Sequence, residues 1–188
     1  MAVDYAAVIL AGGTAVRMDG VDKAGVEYDG RTLLEHALAA VAGAVEVVVV
    51  GDAVPTSRPV TFVREDPPRG GPAAALLAGR DALLTRPDYL AVLAVDMPRV
   101  RTATFERLVT AAAGRDGSFL ADDSGRRALA GVVELAALDR VRPGEASGMA
   151  LHRLLAPLDL GSVAAGPGEA TDVDTWADLR DLGDPPKG

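Results

Sequence analysis

Three short apolar runs constrain this chain most: AAVILA at residues 6–11, VEVVVVG at 45–51 and YLAVLAV at 89–95. None shows the strict apolar–polar alternation of a strand with one wet face, so each needs cover on both faces, which helices above and below a parallel sheet supply. Between the first two runs, Leu33, Leu34, Ala37, Leu38 and Val41 recur at helical spacing, and Gly43 follows as a stop. Strand, helix, strand with both strands buried is a βαβ unit.

The pattern continues down the chain. A strand is expected at 60–63, ahead of the break DPPRGG at 66–71. Pro72 then fits the first turn of a helix, with Leu76, Leu77, Leu83 and Leu84 as its apolar face. A helix over 104–113 turns Phe105, Leu108, Val109 and Ala112 inward. A short strand at 119–121 and a longer one at 128–135, related as a hairpin across 122–127, predict one antiparallel element in a mostly parallel sheet. A helix over 147–158 with Leu151, Leu154, Leu155 and Leu158 inward, an edge strand at 162–165, a helix at 175–182 and a loose tail complete the reading. Together these predict one domain over residues 1–188: an α/β, three-layer Rossmann-like sandwich with a mostly parallel mixed sheet and ligand loops at the strand carboxyl ends.

Composition narrows the partners. A net charge of −8, from 27 acidic and 19 basic residues, gives no field to attract nucleic acid or an anionic membrane. The chain has no cysteine, which excludes disulfides, thiolate nucleophiles and cysteine zinc sites. With no signal peptide and no 18-residue apolar run, it reads as cytoplasmic. His36 and His152 sit in separate helix-like segments and make no zinc set.

The chemistry concentrates where the first strand enters Gly12-Gly13, with Arg17 and Lys23 close behind. Backbone N–H groups unblocked by side chains, followed by two cations, suit a polyphosphate. The loop lacks the glycine-lysine-serine/threonine ending of a Walker A motif and the glycine spacing of a dinucleotide fingerprint. Read alone, it is equally a flexible turn with two solvated cations. Asp96 follows the strand YLAVLAV and precedes Met97-Pro98, at the carboxyl end where open α/β folds place ligands. There it either ligates Mg²⁺ or caps the turn. In TDVDTW, Asp172 and Asp174 alternate across Val173, so an extended backbone would present both carboxylates on one side. Asp174 is the candidate second ligand; otherwise it caps a helix, with Trp176 packed as a core aromatic.

The ordered set of motifs resembles the MobA-like nucleotidyltransferases: LAGGTAVRM-DGVDKAG at 10–25, GGPAAALLAG at 70–79, LAVDMP at 93–98, LAGVVELAAL at 129–138 and TDVDTWADL at 171–179. The resemblance covers nearly the whole chain and implies a nucleotide-diphospho-sugar transferase type of fold. It implies that Leu10, Ala11, Gly12, Gly13, Arg17, Lys23, Asp66 and Gly71 contact the nucleotide, that Asp96 and Asp174 hold Mg²⁺, and that Arg17, Lys23 and Asp96 carry catalysis. The implied reaction moves GMP from GTP to molybdenum-bound molybdopterin with release of pyrophosphate. Related enzymes use CTP, or sugar and polyol phosphates, and a non-catalytic nucleotide-binding protein that delivers cofactor to a molybdoenzyme or another cofactor-biosynthesis protein is the remaining alternative. Five positions depart from the family pattern. Ala15 stands where serine is common, Asp19 where glycine is usual, and Trp176 where proline is frequent, while Arg126-Arg127 replace part of a proline-leucine segment on the acceptor side. The two arginines are either contacts for an anionic pterin phosphate or exposed hairpin residues.

Overall fold

The computed structural model describes residues 4–12 and 22–183. A seven-stranded sheet has the order β5-β4-β1-β6-β8-β7-β9, formed by β1 (Tyr5–Leu10), β4 (Val47–Val50), β5 (Thr61–Val63), β6 (Tyr89–Ala94), β7 (Gly117–Ala121), β8 (Arg127–Glu134) and β9 (Leu160–Ala164). β5, β4, β1 and β6 run parallel, β8 runs antiparallel to both β6 and β7, and β7 and β9 are parallel again. The expected mixed sheet with one reversed strand is therefore present. β2 (Glu27–Tyr28) and β3 (Arg31–Thr32) form a separate two-stranded hairpin.

The wholly apolar strands are explained by two cores. Tyr5, Ala7, Ile9, Val47, Val49, Ala91 and Leu93 face one, under α1 (Leu33–Ala40) and α3 (Thr102–Ala111). The alternate residues Ala6, Val8, Val48, Val50, Leu90 and Val92 face the other, with α2 (Gly71–Asp81), α4 (Leu135–Arg140) and α5 (Leu151–Leu155). Period-two side chains thus fill both faces, as the runs require. The C-terminal α6 (Trp176–Gly183) adds Leu182 to the first core.

Local chemistry sets the helix ends. Thr32 caps α1 by accepting from the Glu35 amide at 3.2 Å. Pro72 lies in the first turn of α2, as expected. α2 stops at Asp81, so Leu84, expected on its apolar face, is instead 90% exposed. The Glu46 carboxylate accepts from the amides of Leu84 and Thr85, fixing a turn where the helix was expected to continue. The helix expected from 147 begins only at Leu151 and ends at Leu155. The preceding backbone is bonded to α2 instead: Gly148 donates to the Gly70 carbonyl at 2.7 Å, and Ala73 donates to the Met149 carbonyl at 3.4 Å. α4 and the β2–β3 hairpin were not expected. α4 prolongs the apolar run of β8 without a break, and the hairpin turns through Asp29-Gly30, both at positive φ.

Gly79 shows how tightly α2 lies on the sheet. A Cβ there would stand 2.5 Å from Val8 Cγ1 and 3.0 Å from Val50 Cγ2. Alanine would gain about 1 kcal/mol of helix propensity, but the stiff β-branched neighbours cannot rotate away, and overpacking costs about 1–3 kcal/mol. Gly79→Ala is expected to lower the urea midpoint, with a net loss of up to about 2 kcal/mol; an unchanged or raised midpoint would show that α2 can lift without penalty.

Candidate active site

The carboxyl ends of β1, β4, β5 and β6 share one side of the sheet and open onto a cleft of about 720 Å³. Ala11 and Gly12 follow β1, Gly51 and Asp52 follow β4, Arg64 and Glu65 follow β5, and Val95 and Asp96 follow β6; all line the cleft, with Gly71 and Pro72 at the start of α2. Gly71 has φ 86°, a conformation that an L side chain rarely takes, and it turns the chain into the helix at the cleft wall. A Cβ at Gly12, by contrast, would make only ordinary contacts, so the fold does not itself demand glycine there.

Lys23 is the hub. Its ammonium donates to Asp96 Oδ2 and to Asp174 Oδ1, each at 2.7 Å, although the three residues are far apart in sequence. The Lys23 and Asp96 side chains are 10% and 19% exposed, whereas Asp174 is 48% exposed. Burial opposes the ammonium, but the hydrogen bonds to Asp174 and Asp96 raise its pKa above the ordinary lysine value. Burial pushes the Asp96 carboxyl upward against the pull of Lys23, and the neighbouring charges of Asp172 and Asp174 push the same way.

Each acidic residue is held by its backbone. Met97 and Val100 are buried beyond the end of β6 and anchor the turn that presents Asp96. The Val173 amide donates to the Asp96 carbonyl at 2.9 Å, and the Val173 side chain is fully buried, so the TDVD segment is pinned beside β6. Asp174 is free of capping duty. Asp178 accepts from the amides of Asp174 and Thr175, while Thr175 Oγ1 accepts from the Asp178 amide, a reciprocal cap at the start of α6. Trp176 is 40% exposed and is not the core aromatic weighed from the sequence.

Of the residues singled out from sequence, Leu10, Ala11, Gly12, Lys23, Gly71 and Asp96 line the cleft, and Asp174 joins them through Lys23. Asp66 does not line it; its neighbour Glu65 does, accepting from the Arg69 amide at 3.1 Å. Gly13, Ala15, Arg17 and Asp19 lie outside the described residues. Arg126 and Arg127 turn elsewhere: Arg126 is paired with Asp122 on the hairpin, and Arg127 donates to the Leu160 carbonyl at 3.0 Å. Asp52, Arg64 and Glu65 were missed, although their places at the ends of β4 and β5 were signal enough. Arg64 and Asp52 form an exposed ion pair at the cleft rim.

The donor set suits a cation. Two carboxylate oxygens already converge on one positively charged nitrogen. Among the described residues no group of three or more His, Cys, Asp or Glu is placed to hold a metal, so the carboxylates that a divalent ion would find at this point are those of Asp96 and Asp174.

Sheet order and cleft together define a protein of the nucleotide-diphospho-sugar transferase fold. Rv0371c from Mycobacterium tuberculosis superposes over 97% of this chain and 98% of its own, with a TM-score of 0.76 at 20% identity, and has also been crystallised with manganese. The sequence profile of the MobA-like NTP transferase domain matches residues 7–163, and the chain belongs to that family. Similar sequences include a molybdenum cofactor guanylyltransferase of Acidiphilium cryptum, 46% identical over 49% of this chain and 50% of that protein, and one of Shewanella sp. strain MR-4, 31% identical over 68% and 66%. This chain therefore spans about half to two-thirds of the length of these relatives.

A second buried carboxylate fixes the segment that leads to Asp174. Glu169 accepts two bonds from Arg107 Nη2 at 2.6 Å, one from the Gly166 amide at 2.7 Å and one from Thr104 Oγ1, tying the loop to α3. Burial alone would raise this carboxyl, but Arg107, Thr104 and the amide hold it below the ordinary glutamate value. A depressed folded-state pKa contributes stability that is complete above the unfolded value and is lost as pH falls through the folded one. Glu169→Gln is therefore expected to cost about 1–3 kcal/mol at neutral pH. The gap in urea midpoint should close as pH drops below about 4. A gap independent of pH would show that the carboxylate charge is not what holds the loop.

Proposed function

We propose that residues 1–188 form one domain that acts in the cytoplasm as a Mg²⁺-dependent nucleotidyltransferase, moving GMP from GTP to molybdenum-bound molybdopterin. The observation that carries this reading is the convergence of Asp96 and Asp174 on Lys23 beside a cleft at the strand carboxyl ends. The names of the Acidiphilium and Shewanella relatives favour GTP and the molybdopterin acceptor. The manganese bound to Rv0371c favours a divalent ion. Among the described residues no helix is long and apolar enough to cross a membrane.

An acceptor phosphate oxygen attacks the α-phosphorus of the nucleotide; the new P–O bond forms as the bond to the β-phosphate bridging oxygen breaks, and pyrophosphate leaves with that electron pair. The acceptor is already anionic, so the protein need supply no nucleophile. Asp96 and Asp174 would hold Mg²⁺, which when bound neutralises charge on the phosphate oxygens. The amides after β1 approach the phosphates where Gly12 leaves room, and Arg17 is the proposed second cation beside Lys23. Lys23 stabilises the charge that builds on the α-phosphate, a contact that strengthens in the transition state and therefore raises the rate. Leu10, Ala94 and Val95 add apolar lining beside Asp96.

The test is pyrophosphate release with GTP, CTP, ATP or UTP, Mg²⁺ and molybdenum-bound molybdopterin, with products identified by mass and sugar phosphates as rival acceptors. GTP-dependent formation of the pterin dinucleotide, reduced about a hundredfold or more in folded Asp96→Ala, is the expected outcome. Turnover with a different nucleotide or acceptor would overturn the substrate assignment, and nucleotide binding with no product from any pair would favour a cofactor-delivery protein.

A further inference from the structure

We propose that Lys23 is a displaceable cation that keeps the Asp96–Asp174 site closed to a divalent metal until the phosphates of a nucleotide draw it away. The inference rests on the reading of those two aspartates as metal ligands. One nitrogen stands 2.7 Å from both carboxylates, and a divalent ion bridging the same oxygens would need that space. Ammonium and metal are therefore alternatives.

Charge decides which of them stays. Two carboxylates with one ammonium leave a net −1, whereas a divalent ion would neutralise the pair. A metal arriving alone, however, strands a positive group that is only 10% exposed and has lost both partners. A triphosphate supplies the missing partner. Metal entry and nucleotide entry each make the other easier, which is a reciprocal coupling of binding free energies.

The residue type supports the exchange. The chain contains 17 arginines but only two lysines, Lys23 and Lys187, the second in the C-terminal tail. Arginine locks onto carboxylates through a rigid planar fork, whereas lysine is a compact charge on a flexible stem. A chain that uses arginine almost everywhere thus has lysine at the hub of this site. The backbone there is fixed, since Asp22 caps the short 3-10 helix that Lys23 opens by accepting from the Ala24 amide at 3.1 Å. Movement belongs to the side chain.

Two measurements test the gate. In Lys23→Met, Mn²⁺ binding without nucleotide, read by electron paramagnetic resonance, should be at least about tenfold tighter than in the wild type, with a larger rise of Tm on Mg²⁺ addition. In wild-type protein with 13Cε-labelled lysine, only two signals arise. The Lys23 signal should stay in place with millimolar Mg²⁺ alone and shift with Mg²⁺ plus a non-hydrolysable GTP analogue, while Lys187 serves as the internal control. Equal Mn²⁺ affinity in folded Lys23→Met, or a Lys23 signal that moves fully with Mg²⁺ alone, overturns the gate. If Lys23→Met does not fold, the wild-type lysine spectra decide. Mn²⁺ binding to Lys23→Met that survives Asp96→Asn would instead overturn the metal assignment itself, and the gate with it.

Discussion

Everything near the cleft depends on the pairing of β1 with β6. The two strands are in register from Tyr5↔Tyr89 to Leu10↔Ala94, and both are buried on both faces. Because they run parallel, their carboxyl ends stop side by side, so the loop after Leu10 and the turn carrying Asp96 meet without further instruction. The Val95 amide extends the ladder by donating to the Leu10 carbonyl at 3.1 Å. A slip of one residue would turn Val8 and Val92 into the wrong core and carry Asp96 out of reach of Lys23.

The remaining site residues arrive by longer routes that end on this pair of strands. Lys23 is delivered by a short 3-10 helix lodged against α1, with Ala24 and Val26 buried beneath it. Asp174 is delivered by a segment clamped twice, by Glu169 on α3 and by the Val173 amide on the Asp96 carbonyl. Further away, Tyr28 and Arg99 both donate to the Leu182 carbonyl, joining the β2–β3 hairpin, the turn after β6 and α6. The polar hub is thus surrounded by apolar anchors that leave its charges little freedom except through side-chain motion.

Much of this was legible in the sequence because burial on two faces leaves a plain mark. The apolar runs, the reversed strand and the position of Asp96 follow from periodicity and from the carboxyl-end rule for ligands, whereas Gly71 was singled out through the family resemblance. What was not legible depended on contacts between segments distant in sequence. Nothing near residue 147 announces that its amides bond to the Gly70 carbonyl rather than to a helix of their own, and nothing in DALL shows that Glu46 will end α2 before Leu84. The Asp172–Asp174 alternation was read as presenting both carboxylates on one side; Val173 between them is buried, and Asp174 is the one that bonds to Lys23. Asp66 was singled out in a loop whose geometry gives the cleft wall to Glu65, one residue earlier.

The reversed strand β8 has an architectural effect of its own. Parallel strands bring only their endings to the cleft, and each ending must also start a crossover that the fold depends on. β8 brings its beginning: Leu129 lines the cleft, and the β7–β8 turn, closed by Asp122 and Arg126, stands at the same end of the sheet. That turn leads only from one strand back to its neighbour, so its length and chemistry can drift without disturbing the parallel half that presents Asp96. The cleft is thereby divided into a wall whose ends are tied into crossovers and a lip that is a simple hairpin turn, so the lip can change with the least cost to the sheet.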